Sequence, residues 1–590
     1  MKKIVRYIHI LSLAACLYSC DNLFYFGDDG TLTYENVFSD YALTGKYLNT
    51  CYSYMPNFAN SSAGGTFLAV FTDEAQDADD VLNSSAMKYY NGGMSSANNM
   101  LDSDLYDKLW NGIRTCNIFL ANIDHVPNMR VEEHRSKWKG EALVLRAYYY
   151  LQLIKRFGPM PIIKQDLPLD YDYSQVSRPS FYENAQAIIE DCDDAILEEH
   201  LPMRVTLETD NGSVTKAMAY AIKSQVMLYA ASPLWNDGKD YWDEALKQTE
   251  EAKDKLIEAG FDLFDPSSLE IPGMYGKYQE YFLTKPELVE NPSRDKETIY
   301  AQKGNLGTLW KNYGLPMMPD VTAAGMSPTQ ELVDAFETID GQPILNLEKP
   351  YLDDEHLQPN YNAKALKENG GMFDPRNPYT NRDPRLRSTI ICNGDYQNQK
   401  DNTNLVETFV GGNCGLSDNS QLYTRTGYYL RKFINYQSDK TKNLDGYWRY
   451  FRMAEIYLNF AEASFYANKS VTTDALAAVN RVRERAGMPK LPNDISTDEF
   501  ELRLRNERRV EFAFEEHRYF DIRRWKIREN AESVVTGMRI EKDSDGTFTY
   551  NRFVVQNREV DDDKYLRWPI PLAEQNKFDV YGIHFQNEGW

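Results

Sequence analysis

Helical periodicity runs through both ends of this 590-residue chain and vanishes between about residues 261 and 450. Any fold it adopts must therefore join two blocks of amphipathic helices across a long irregular stretch. In the first block, Leu109, Ile113, Cys116 and Leu120 keep helical spacing from Leu105, and Ala147, Tyr150, Leu151 and Ile154 keep it from Leu143. The second pattern stops at Gly158-Pro159, where glycine accepts a positive φ and proline cannot extend the hydrogen-bond ladder. Further helices are predicted over Phe181 to Glu199, Thr215 to Ala231 and Tyr241 to Ala259.

Helices return at Arg452. Met453, Ile456, Tyr457, Phe460 and Ala461 make one apolar stripe, Ala475, Val479, Val482 and Ala486 a second, and a third helix is predicted from Thr497 to Glu516. Ala217, Ala221, Ala230, Ala245 and Ala252 put small side chains where helices cross closely, and the pairs resemble degenerate tetratricopeptide units. Each pair leaves one face bare, so neighbours must stack. Between the blocks, Pro272-Gly273, Asn291-Pro292, Gly370-Gly371 and Asn377-Pro378 punctuate the chain as in a loop-rich layer with short strands. The expected fold is mainly α: a tetratricopeptide-like helical array carrying an irregular layer. The expected organisation is 1–19 signal peptide, 20–33 tether, 34–260 N-terminal helical part, 261–450 loop-rich ligand-binding insertion and 451–590 C-terminal helical part.

The N-terminus reads as an address. Lys2, Lys3 and Arg6 precede an apolar run from Ile8 to Leu17, and Leu17-Tyr18-Ser19-Cys20 follows the pattern of a lipoprotein signal with Cys20 as the acylated residue. The run is far shorter than the roughly 20 residues needed to span a bilayer. Removing Cys16 and committing Cys20 to lipid leaves Cys51, Cys116, Cys192, Cys392 and Cys414, an odd number without CxxC spacing, which argues against a structural zinc site. Cys116 and Cys192 sit inside helical patterns as packed thiols.

Charge and motif content narrow the function. With 65 bases against 88 acids the net charge is 65 − 88 = −23, a surface that repels phosphate backbones and makes a nucleic-acid partner unexpected. The densest charge cluster runs from Arg503 through Glu507, Arg508, Arg509, Glu511 and Glu515 to Arg518, Asp521, Arg523 and Arg524; its i,i+4 spacing is that of helix-stabilising ion pairs. There is no GxSxG, HExxH or phosphate-cradling glycine loop, and Asp73-Glu74, Asp77 and Asp79-Asp80 lack the order of a calcium loop. No catalytic residue, cofactor or metal is assigned.

Four segments then carry a specific resemblance: Arg452-Met-Ala-Glu455 through Asn459 and Glu462; Asn480-Arg-Val-Arg483-Glu-Arg485-Ala-Gly487; Asn506-Glu507-Arg508-Arg509-Val-Glu511; and Arg518-Tyr-Phe-Asp521-Ile-Arg523-Arg524-Trp525. With Gly140-Glu141-Ala142, Arg382-Asp383-Pro384-Arg385 and the ending Asn587-Glu588-Gly589-Trp590, they are similar to the SusD/RagB-like outer-membrane lipoproteins; Glu588 stands where the family usually has proline. The resemblance implies a lipid-anchored, cell-surface binding protein of Bacteroidetes-type bacteria. It would sit as a lid on a TonB-dependent SusC-like transporter and capture oligosaccharide rather than transform it. It also implies that the motif residues form the fold and touch no ligand.

Sugar rings have an apolar C–H face and a hydroxyl rim, so a binder needs an open aromatic plate with Asp, Asn, Gln or Arg around it. Loop aromatics are the candidates: Trp310 and Tyr313 first; then Tyr89, Tyr90 and Asn91 with Asp73 and Asp77; then Tyr275 and Tyr278. Trp235, Trp448 and Trp525, beside family-like elements, are expected in the core or in seams. Two other readings stand beside glycan capture: a peptide-capturing lid on the same kind of transporter, and a secreted glycoside hydrolase using two carboxylates.

Overall fold

The computed structural model describes residues 33–590 apart from 60, 64, 80–83, 103, 169, 272, 305–313, 319–320, 418–419, 435–445 and 561. The first helical block contains α1 (Tyr41–Ser53), α2 (Leu105–Asn122), α3 (Glu133–Phe157), α4 (Phe181–Leu197), α5 (Lys216–Ala231) and α6 (Trp242–Glu258). Their starts follow local chemistry. Ser180 and Glu183 close a capping box on α4, and the Thr215 hydroxyl accepts the Met218 N–H at the start of α5. α3 ends at Gly158, whose φ of 78° continues as the spacing predicts.

The second block contains α7 (Met453–Asn468), α8 (Thr473–Arg485), α9 (Thr497–Glu511) and α10 (His517–Arg524). From α2 to α6 each helix packs on the next, α6 packs on α7, and α7 packs on α8. The stack thus runs on across nearly two hundred residues of intervening sequence. Close approach has its small residues: a Cβ at Gly112 of α2 would lie 2.7 Å from the Tyr149 ring of α3.

The intervening layer holds two-stranded antiparallel pairings. β1 (Thr298–Gly304) pairs with β2 (Gly446–Arg452), and shorter pairs join Ala75–Asp77 to Met326–Pro328 and Ile390–Ile391 to Tyr429–Leu430. The C-terminal part is not all helical as expected. β3 (Val534–Lys542) and β4 (Phe548–Asn557) form a hairpin there, turning at Gly546 with φ 86°. The five described cysteines are free and buried, and among the described residues no helix is long and apolar enough to cross a membrane.

A buried ion network clamps layer to stack. Arg452, at the end of β2, reaches Glu297 (2.8 Å), Glu511 (2.7 Å) and Glu515 (2.7 Å); Arg485 of α8 reaches Glu297 (2.6 Å) and also Glu511. Arg385 reaches Asp383 (2.8 Å), Glu507 (2.6 Å) and Glu511 (3.0 Å), and Arg483 joins Glu507 to Glu337, both at 2.9 Å. The charge cluster is structural, as its spacing suggests, but its geometry differs from the expectation. The glutamates pair with arginines 24 to 126 residues away rather than with helical neighbours. An i,i+4 pair is formed at the rim, between Arg505 and Glu501.

The same network ends α9 five residues short of the predicted Glu516. The Glu511 carbonyl, which would accept the next turn's N–H, is taken by the Tyr278 hydroxyl (2.7 Å) and Arg452 Nη2 (3.0 Å). The Ala513 carbonyl is taken by Lys432 Nζ (2.8 Å). Phe514 and Glu516 then adopt φ of 63° and 70°, an uncommon conformation for residues with a Cβ.

At some buried carboxyls the nearby cations do not outweigh the cost of burial. Burial, aided by neighbouring Asp73, pushes Glu74 up to about 8, and burial takes Glu516 and Glu141 each to about 7. An acid whose folded pKa is raised contributes stability that is complete below its unfolded value of ~4.3 and is lost as pH rises through the folded value. Thermal stability is therefore expected to fall from pH 5.5 to pH 8.5, on the order of a few kcal/mol in all. Glu74→Gln, which mimics the protonated form, should flatten that slope in melting experiments; an unchanged slope would mean that Glu74 is ionised throughout.

Candidate functional site

The β1–β2 ladder positions a surface cleft of ≈ 470 Å³. Lys303 faces Tyr447 in the register, one step before the terminal pair Gly304 and Gly446. The half-buried Tyr447 forms one wall with Lys303, while Asn57, Asn211 and Gln302 supply amides and Leu288 and Pro286 supply apolar floor. Strand alternation explains the arrangement. Tyr447 turns to the cleft, and Trp448 turns inward to stack on Phe67 at 6.0 Å.

Hydrogen bonds fix the amides. Asn57 Nδ2 donates to the Lys303 carbonyl (3.2 Å), and Gln302 Oε1 accepts from the Tyr450 hydroxyl (2.9 Å). Gly304 passes so close to Ala59 that an added Cβ would lie 2.0 Å from the alanine Cβ, so side-chain-free backbone is required where the chain leaves the cleft toward residue 305.

Among the described residues no carboxylate lines this cleft. A different cleft, between α1 and α3, does bring Glu141 and Asp210 together beside Trp138, but Lys137 Nζ stands between them at 4.0 and 2.7 Å. An ammonium in that position neutralises the pair that hydrolysis would need. The glutamates of the ion network are equally unsuited to acid catalysis. Burial works to raise Glu511, but Arg485, Arg452 and Arg385 outweigh it and hold the carboxyl well below the usual range. Among the described residues no group of three His, Cys, Asp or Glu side chains is placed to hold a metal ion.

The sequence candidates are scattered. Trp310 and Tyr313 lie outside the described residues, as does Cys20. Tyr89 and Tyr90 are not loop residues; they end a helix of six residues, Ser85–Tyr90, too short to show a period, and both rings are fully buried. The Tyr89 hydroxyl accepts from Arg523 (2.9 Å), the Tyr90 hydroxyl donates to the Val70 carbonyl (2.8 Å), and neither ring offers a face to a ligand. Asn91 caps that helix and is exposed.

Asp73 is bound by Arg518 through two contacts of 2.8 Å and by Arg509. Burial works to raise it, but the two guanidinium charges bring it down to about 2. Asp77 is buried in the short strand Ala75–Asp77. Tyr278 is buried against the ion network, whereas Tyr275 is half-buried, its ring facing Arg387 and Arg431 at 5.9 and 5.6 Å. Trp235, Trp448 and Trp525 are all buried. Tyr447 is not among the sequence candidates, although Gly446-Tyr-Trp-Arg-Tyr-Phe-Arg452 carries the β-rich composition that marks a strand.

Comparison with known proteins places the fold. No curated protein matches the chain. Residues 37–228 match the family model described as starch-binding, associating with outer membrane. Among solved structures, a SusD-like protein from Bacteroides fragilis aligns with TM-score 0.74 at 25% identity, covering 96% of this chain and 99% of its own. A SusD-like carbohydrate binding protein from the same species aligns with TM-score 0.67 at 21% identity over 92% and 98%. The surface glycan-binding protein A of Bacteroides uniformis aligns with TM-score 0.58 at 19% identity over 92% and 98%. The SusD family model itself matches residues 290–590, just over half the sequence, which takes in both the irregular layer and the arginine–glutamate clamp; the chain belongs to the SusD family.

Proposed function

We propose that this chain is a glycan-binding lipoprotein, anchored through Cys20 on the outer face of the outer membrane, that captures oligosaccharides and passes them to a TonB-dependent SusC-like transporter. Family membership, the starch-binding description matched by the N-terminal part, and relatives described as binding carbohydrate support this reading. The observation that supports a particular place on the molecule is the cleft at Tyr447, an aromatic wall with amides and an ammonium around it and, among the described residues, no carboxylate. Such a lining suits stacking on a pyranose face and hydrogen bonding to its hydroxyls.

Trp310 and Tyr313, which lie outside the described residues, remain sequence-based candidates for ring stacking on the same ligand. Capture needs no catalytic residue, and none is assigned. In calorimetric titration, Trp310→Ala and Tyr447→Ala are each expected to weaken glycan binding by about 1 to 3 kcal/mol through lost stacking and burial. Parental affinity in both variants would remove the cleft as the binding site.

A further inference from the structure

A cavity between α3, α5, β2 and α10 holds cations without an ion-pair partner. Arg156 is 2% exposed; its Nη1 bonds only the Gln152 carbonyl (3.2 Å) and side-chain amide (2.7 Å), and its Nε has no partner. Among the described residues no carboxylate lies within ion-pair distance of Arg156, Lys155 or Arg449, all three of which line the cavity. Lys155 Nζ meets the Phe520 ring at 4.5 Å, and Arg449 spends its donors on Thr298 Oγ1 (3.3 Å) and the Thr284 carbonyl (3.0 Å).

Two further orphans face the same space: the hydroxyl of Tyr148, which is fully buried, and Oε1 of Gln225, which is 4% exposed. The acids at the cavity do not balance the cations. Glu515 is committed to Arg452 and Lys432 at 2.7 Å each, which leaves Glu516, its carboxylate also accepting the Leu68 N–H at 2.9 Å, as the one lining acid to face the charges of Arg156, Lys155 and Arg449.

We infer that this cavity is a binding site for a small monovalent inorganic anion of chloride size, held by Arg156, Lys155 and the Tyr148 hydroxyl. Size selects the class. The space is ≈ 40 Å³, room for about three water-sized spheres at ~10–15 Å³ each, which admits a halide with a water or two and excludes a sugar or a phosphate ester. Charge selects it too. An unpaired guanidinium in the interior is costly unless a counter-ion joins it, and the Tyr148 O–H and Arg156 Nε–H are donors awaiting an acceptor. A water beside the anion satisfies the one acceptor, Gln225 Oε1. Because the chain as a whole carries −23, its long-range field repels anions and the affinity must come from the cavity itself.

The test is thermal unfolding of the full chain in sodium chloride against sodium gluconate at equal ionic strength, gluconate being too large to enter. The melting temperature should rise saturably with chloride and not with gluconate. Tyr148→Phe, which removes only the orphan hydroxyl, should weaken the chloride effect about tenfold, and Arg156→Gln should abolish it. A bromide-soaked crystal should show an anomalous peak between Arg156 and Tyr148. Identical unfolding of the parent in both salts, or a cavity holding only water in the bromide crystal, overturns the assignment. If Arg156→Gln does not fold, Tyr148→Phe and the crystal still decide it.

Discussion

Glu511→Ala is expected to cost the fold about 3 to 5 kcal/mol, the range for removing one member of a buried ion pair. Glu511 is fully buried, and its two oxygens serve three arginines: Arg452 at 2.7 Å, Arg385 at 3.0 Å, and Arg485. Those arginines come from β2, from the segment after Asp383, and from α8, so alanine leaves charges unpaired at the junction of stack and layer. A pair with an exposed glutamate sets the contrast. Glu499 meets Arg503 at 3.7 Å with 55% of its side chain exposed, and Glu499→Ala should cost no more than about 0.5 kcal/mol. Urea unfolding of both variants checks the difference. Equal midpoints would mean that the network is solvated and contributes no more than a surface pair. The pH dependence has a definite sign: the lowered folded pKa values of Glu507, Glu511 and Glu515 give stability present above ~4.3 and lost only as pH falls through those depressed values.

Cys20→Ser is expected to move the protein from the membrane fraction to the soluble fraction. One acyl chain holds a protein only marginally, at about 10⁴ M⁻¹, but several chains at ~0.8 kcal/mol per buried methylene hold it essentially permanently. Serine cannot form the thioether, so the whole of that free energy disappears. Fractionation of cells expressing each form reads the effect directly. Equal membrane association of the two would show that Cys20 carries no lipid.

Much of the helix stack is legible in the amino-acid sequence, because periodicity is a local property. The Leu105, Leu143, Phe181, Thr215 and Tyr241 segments all fold as their spacing predicts, within a residue or two at the caps except α3, which starts ten residues earlier at Glu133. The hairpin β3–β4 is equally readable, with Asp543-Ser-Asp-Gly546 between two β-rich runs; the expectation of a helical C-terminal part obscures it.

What the sequence hides is non-local. Glu511 and Arg385 are 126 residues apart, and only the fold brings them to 3.0 Å. Three of the binding candidates are buried for the same reason. Tyr89, Tyr90 and Tyr278 sit among glycines and polar residues like loop aromatics, yet Arg523, Val70 and Glu511, all distant in sequence, draw their hydroxyls inward. Whether a ring faces water depends on what packs over it, and composition does not report that.

Electrophoresis of the full chain through native gels containing a panel of polysaccharides, with reducing ends assayed in parallel, tests glycan capture without chemistry most directly. Retardation by at least one glycan, with no reducing ends released, is the expected outcome. Free migration through every gel, or steady release of reducing ends that a single carboxylate substitution abolishes, would contradict it.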